Sequence, residues 1–107
     1  MRFKNKTVIV TGAGSGIGET TAIKFAQEGA NVVIADIDPI NGKIVTTKIN
    51  DANGSALFVE TNVANFDSIN EMVNKTINEF DLPDILINNA GINVFGEPLK
   101  MPDSEWK

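Results

Sequence analysis

The chain has no cysteine, no histidine and no tyrosine in 107 residues. Without Cys there is no disulfide, no thiolate nucleophile and no Cys-ligated zinc site. That absence is compatible with any redox compartment. Without His the usual general base and the commonest transition-metal ligand are missing. Without Tyr no phenol can act as an acid. No apolar stretch approaches the roughly 18 residues a membrane span needs. The basic start carries only a short apolar run, which Thr11-Gly12 interrupts, so a signal peptide is not expected. The expectation is a soluble, cytoplasmic protein that does not engage membranes. Positive charge is also scarce, with nine Lys+Arg against fourteen Asp+Glu and a net charge of -5. Only Arg2, Lys4 and Lys6 cluster, so a backbone-tracking nucleic-acid partner is not expected.

What is present is 42% hydrophobic residues, enough for a packed core, in short runs that alternate with helix-period segments. Thr7-Val8-Ile9-Val10 is β-branched throughout and reads as a strand buried on both faces. Gly18 to Glu28 follows as a helix, with Ala22, Phe25 and Ala26 on one face and Gly29 as its stop. Asn31 to Ala35 is a second strand. Asp38-Pro39 opens a second helix, with Asp as N-cap and Pro in the first turn. Ile40, Ile44 and Thr47 are expected to face inward there. Asn53-Gly54 is a turn, and Ala56 to Val59 a third strand. Phe66, Ile69, Val73, Thr76, Ile77 and Phe80 lie at helical spacing, with Asn65 or Asp67 at the start, or a Ser68/Glu71 capping box. Glu71, Glu79 and Asp81 read as solvated charges. Ile85-Leu86-Ile87 is a fourth buried strand, running into Asn88-Asn89-Ala90-Gly91, and a last helix is expected near Pro102 to Trp106.

This βαβαβαβ alternation predicts an α/β, Rossmann-type, three-layer doubly wound parallel sheet of strand order 3-2-1-4, cut off after strand 4. Residues 1–107 are read as one dinucleotide-binding domain, the N-terminal part of a longer chain. In such sheets ligands bind beyond the carboxyl ends of the strands, at the switch point between strands 1 and 4.

Thr11-Gly12-Ala13-Gly14-Ser15-Gly16-Ile17-Gly18 lies between the first strand and the first helix. It departs from strict G-x-G-x-x-G and reads G-x-x-x-G-x-G. A turn free of Cβ atoms lets the backbone approach a pyrophosphate, and the helix N-terminus offers unpaired N–H groups. No Lys-Ser/Thr follows, which excludes a P-loop. Asp36, twenty positions after Gly16, ends the second strand, where an acid can accept from an adenosine ribose diol. A 2′-phosphate there would meet a like charge at a cost of about 1 to 4 kcal/mol. Ser15 and Ile37 stand where a compensating cation would be, so NAD is expected over NADP. Asn62-Val63 and Asn88 to Gly91 end the third and fourth strands, and the fold brings these ends to one edge.

On these residues the chain resembles the N-terminal part of a short-chain dehydrogenase/reductase. Thr11 to Gly18 fits that family's T-G-x-x-x-G-x-G, and Asn88-Asn89-Ala90-Gly91 fits its N-N-A-G. Pro98 and Glu105-Trp106 look like the stretch leading into its fourth helix. The resemblance implies that Gly12, Ser15, Gly16, Ile17 and Gly18 line the pyrophosphate side of the cofactor. It implies that Asp36 holds the adenosine ribose with Ile37 against the adenine. Asn62 and Val63 would edge the adenine, and Asn89, Ala90 and Gly91 would pass along the nicotinamide-side ribose. Where the family usually has Asp-Val, this chain has Asn62-Val63; the Asn carbonyl is expected to accept from the adenine amino group in a weakened contact.

The family's catalytic Ser, its Tyr-x-x-x-Lys pair and its catalytic Asn would lie beyond residue 107, so no catalytic residue and no metal site is assigned. The implied parent is a homo-oligomeric oxidoreductase that moves hydride between the nicotinamide and a small alcohol or carbonyl substrate, with the chain alone inactive. As an isolated piece, its apolar fourth strand would be prone to pairing with another chain. Three rivals are a stand-alone NAD or adenine-nucleotide binding module without catalysis, a methyltransferase of similar topology, and an interaction domain with a vacant site.

Overall fold

A computed structural model describes residues 2–14 and 16–89. Seven elements alternate in the order β1 (Thr7–Thr11), α1 (Gly16–Gln27), β2 (Asn31–Asp36), α2 (Pro39–Asp51), β3 (Ser55–Glu60), α3 (Phe66–Glu79) and β4 (Ile85–Asn88). The strands form one parallel sheet of order β3-β2-β1-β4, the expected topology. Each strand runs one or two residues longer than its apolar core, because ladder hydrogen bonds continue into the polar ends. α1 begins two residues earlier than its periodicity indicates, at Gly16.

The β-branched runs are buried on both faces because helices cover both. Val8, Val10, Val32 and Ile34 point to the side of α1 and α2, where they meet Ala22, Val45 and Ile49. Ile9, Val33 and Ala35 point to the other side, against Val59 and Met72. Each such side chain removed from water contributes about 1.5–3 kcal/mol. The amino ends of β1 and β4 are clamped by Asp84, whose Oδ2 accepts from the Thr7 N–H at 2.8 Å while its own N–H donates to the Thr7 carbonyl at 2.8 Å. At the start of the chain the Arg2 N–H donates to Glu28 Oε1 at 3.0 Å, and this bond holds the Glu28 carboxyl below its ordinary range.

The caps follow the sequence. Asp38 caps α2 by accepting from the Ile40 and Asn41 N–H groups, with Pro39 at the first position. Of the competing starts for α3, Asn65 is the cap, accepting from the Ser68 N–H at 2.9 Å; no Ser68/Glu71 box forms. Glu71 is exposed and pairs with Lys75 one turn on.

The inward face of α2 differs from expectation. Gly42, Val45 and Ile49 face the sheet, while Ile40 is 71% exposed and Ile44 and Thr47 also face solvent. The reason is Phe58: a Cβ on Gly42 would stand 2.2 Å from its ring, so the helix sits down on β3 at the glycine. On α3, Phe66 and Ile77 are exposed and Met72 and Thr76 take the buried stripe. Leu86 in β4 is 59% exposed rather than buried, since it lies on the α3 side of the sheet at its outer strand. Among the described residues no helix is long and apolar enough to cross a membrane. The helix expected near Pro102 to Trp106 lies outside the described residues.

Ile34→Ala should cost about 2–5 kcal/mol, as a large-to-small change in a closed core. Ile40→Ala should stay within about 0.5 kcal/mol. Denaturant unfolding of both variants checks the assignment of the α2 face.

Candidate functional site

The carboxyl ends of β1, β2 and β3 open onto one edge of the sheet. There the chain leaves β1 through Gly12 at φ +64° and enters α1 through Gly16 at φ +55°, a conformation that L side chains rarely adopt. Ala13 and Gly14 between them are buried. Gly18 sits directly on this turn: a Cβ there would lie 2.1 Å from the Gly12 carbonyl oxygen. The first turn of α1 is thereby pressed against the end of β1, with its unpaired N–H groups at the sheet edge. Ile17 is 74% exposed beside them.

Asp36 joins this turn to β2. Its Oδ2 accepts from the Gly14 N–H at 2.6 Å and its Oδ1 from the Asp38 N–H at 2.9 Å. A Cβ on Gly14 would reach to 2.5 Å of Oδ2, so the contact requires glycine there. Neither ion pair among the described residues involves Asp36. A cleft of about 200 Å³ opens beside it, lined by Gly12, Asp36, Ile37, Thr61, Asn62 and Val63, with Ala35 at its floor. Ile37 and Val63 are exposed apolar side chains on its rim.

The floor is fixed by a line of main-chain bonds. The Gly12 N–H donates to the Ala35 carbonyl and the Thr61 N–H to the Asp36 carbonyl, both at 2.9 Å. The Thr61 hydroxyl turns inward to the Val59 carbonyl at 2.9 Å. At the end of β4, Thr11 Oγ1 donates to Asn88 Oδ1 at 2.9 Å, tying β1 to β4 across their register pair. Asn89 follows, and its Nδ2 is buried without a hydrogen-bond partner among the described residues.

Of the residues the sequence singles out, Gly12, Gly16, Ile17, Gly18, Asp36, Ile37, Asn62, Val63 and Asn89 lie at this edge; Ser15, Ala90 and Gly91 lie outside the described residues. Asn62 Oδ1 accepts from the Ala64 N–H at 3.0 Å, in the turn over residues 62–65 that feeds the α3 cap, and keeps a second lone pair. Gly14 and Thr61 also shape the site. Gly14 was legible only as one more glycine in a rich turn, and Thr61 gave no signal beyond its place at a strand end.

Residues 6–107 match the family model for short chain dehydrogenase. The chain belongs to the short chain dehydrogenase family. Over 96 residues it is 44% identical to an uncharacterized oxidoreductase of Thermotoga maritima, covering 90% of this chain and 38% of that protein. Its fold superposes on a hydroxysteroid dehydrogenase from Escherichia coli with a TM-score of 0.79 at 33% identity, covering 81% of this chain and 37% of that one. A putative D-mannonate oxidoreductase from Haemophilus influenza, solved with bound NAD, gives a TM-score of 0.77 at 32% identity over 79% of this chain and 30% of that one. The chain thus spans well under half the length of the relatives it matches.

Gly18→Ala should force α1 off the turn at a cost of about 1–3 kcal/mol, because the atom it strikes is backbone. Denaturant unfolding of the variant beside the unaltered protein checks this.

Proposed function

We propose that residues 1–107 are the cofactor-binding part of an NAD-dependent short-chain oxidoreductase, a longer protein that moves hydride between a nicotinamide and a small alcohol or carbonyl substrate. The observation that carries this reading is the Asp36 carboxylate, held by two main-chain N–H groups beside the cleft and free of any ion pair among the described residues.

The residues present fit a dinucleotide. The close approach at Gly18 and Gly12 leaves bare backbone beside the N–H groups of α1, which suits a pyrophosphate. Asp36 keeps acceptor capacity for a ribose diol, since each carboxylate oxygen accepts more than one hydrogen bond. Ile37 and Val63 offer apolar surfaces to a flat base, with Asn62 and Val63 at its edge. Asn89, with Ala90 and Gly91 after it, would run along the nicotinamide-side ribose, and Ser15 along the pyrophosphate. When bound, NAD supplies the hydride acceptor or donor. This chain's residues hold and orient it. Their contribution is to fix the position of the dinucleotide, and a negative charge at Asp36 disfavours a 2′-phosphate by about 1 to 4 kcal/mol.

We place the proton-transfer groups in the part of the parent that this chain does not cover, because the chain contains no His, Cys or Tyr. By the same reading the 107 residues alone are inactive, and the parent is a cytoplasmic homo-oligomer.

Calorimetric titration of the full-length protein with NAD and NADP tests the reading. NAD should bind at least tenfold more tightly, and Asp36→Asn should shift the NADP-to-NAD preference about tenfold toward NADP. Equal or tighter binding of NADP by the unaltered protein would contradict it.

A further inference from the structure

Glu60 ends β3 as Asp36 ends β2, and the parallel register pairs the two residues. Val32 and Ile34 of β2 face α1 and α2, as do Ala56 and Phe58 of β3. Side chains return to the same face every second residue, so both carboxylates lie on the α1/α2 side of the carboxyl edge. Neighbouring strands are about 4.8 Å apart. The Thr61 N–H, donating to the Asp36 carbonyl at 2.9 Å, keeps the two strands together at this point. Glu60 is exposed and lines a cleft of about 360 Å³ that shares Ile37 and Asn62 with the cleft beside Asp36. Like charges directly opposite across two strands destabilise a sheet. Neither ion pair among the described residues involves Glu60 or Asp36; Lys75, which also lines the Glu60 cleft, pairs with Glu71 at 3.5 Å. Packing alone does not account for a second carboxylate at this place.

We infer that Glu60 is a second determinant of cofactor choice: beside Asp36 it sets two adjacent negative charges at the cleft, which disfavour a dinucleotide carrying a phosphate on its adenosine ribose. This rests on the proposed dinucleotide site and adds a specificity residue to it. Asp36 is fastened by two main-chain N–H groups and acts at contact distance. Glu60 acts through its field and needs no contact with the dinucleotide. A unit charge about 7 Å from a phosphate, in surroundings close to water, changes an affinity by roughly two- to fivefold. NAD carries no phosphate on that ribose, so the effect falls on NADP.

The test measures dissociation constants of NAD and NADP by calorimetry on the full-length protein, at about 10 mM and about 1 M salt, where the Debye length falls from about 30 to about 3 Å. Glu60→Gln should lower the NADP-to-NAD ratio of constants by about two- to fivefold at low salt, and the difference from the unaltered protein should vanish at high salt. Glu60→Lys should lower the low-salt ratio by about the same factor again. Glu79→Gln makes the same change of net charge at the carboxyl end of α3 and should leave the ratio within about 1.5-fold. A ratio of constants on one variant cancels any loss of folded protein. An unchanged ratio in both Glu60 variants, a change that survives high salt, or an equal change in Glu79→Gln overturns the inference while leaving the dinucleotide site standing. Failure of the unaltered protein to bind NAD, or tighter binding of NADP, overturns the proposed reading and the inference together.

Discussion

The contact on which the binding edge depends is the seating of α1 on the end of β1. Gly18 lies against the Gly12 carbonyl at a distance no Cβ could share. A side chain there would lift the helix, and with it the row of N–H groups that the helix presents at the sheet edge. The left-handed turn at Gly12, the buried Ala13 and the re-entry at Gly16 are consequences of having to turn the chain within so small a space. Asp36 then completes the arrangement from the neighbouring strand. By accepting from Gly14 it fastens the turn to β2, and by accepting from Asp38 it fastens β2 to the start of α2.

One group thus has a structural and a chemical role. The carboxylate that pins the turn is also the negative charge beside the cleft. Its position is over-determined by main-chain donors, so on the proposed reading a ligand would meet an acceptor already in place. The rest of the sheet serves to hold that edge still. Asp84 sets the register of β1 and β4 at their amino ends, and the Thr11–Asn88 bond sets it at their carboxyl ends.

Much of this was legible in the residues, for identifiable reasons. A β-branched run such as Val8-Ile9-Val10 fits one kind of environment, a strand covered on both faces, and Asp38-Pro39 fits one kind of helix start. The glycine spacing signals a close approach by itself. What was not legible depends on partners distant in sequence. The α2 face departs from the apolar spacing because its central contact is a glycine, and Gly42 carries no hydrophobic signal until Phe58 is placed under it. Leu86 reads as core by composition, but its exposure depends on which helix reaches β4. The Asn62 amide could not be oriented from sequence, since the atom it faces is the main-chain N–H of Ala64 in a turn set by the α3 cap.

The central claim is that dinucleotide binding is confined to the edge formed by the ends of β1, β2 and β3. Backbone amide chemical shifts of the protein, followed during titration with NAD, address it most directly. The account predicts saturable shifts at Gly12, Gly14, Gly16 to Gly18, Asp36, Ile37 and Thr61 to Val63, with the amino ends of the strands near Thr7 and Asp84 unmoved. Shifts centred on the opposite end of the sheet, or on a second cleft that α1 and α2 line with Ile23, Gln27, Lys48 and Ile49, would contradict it.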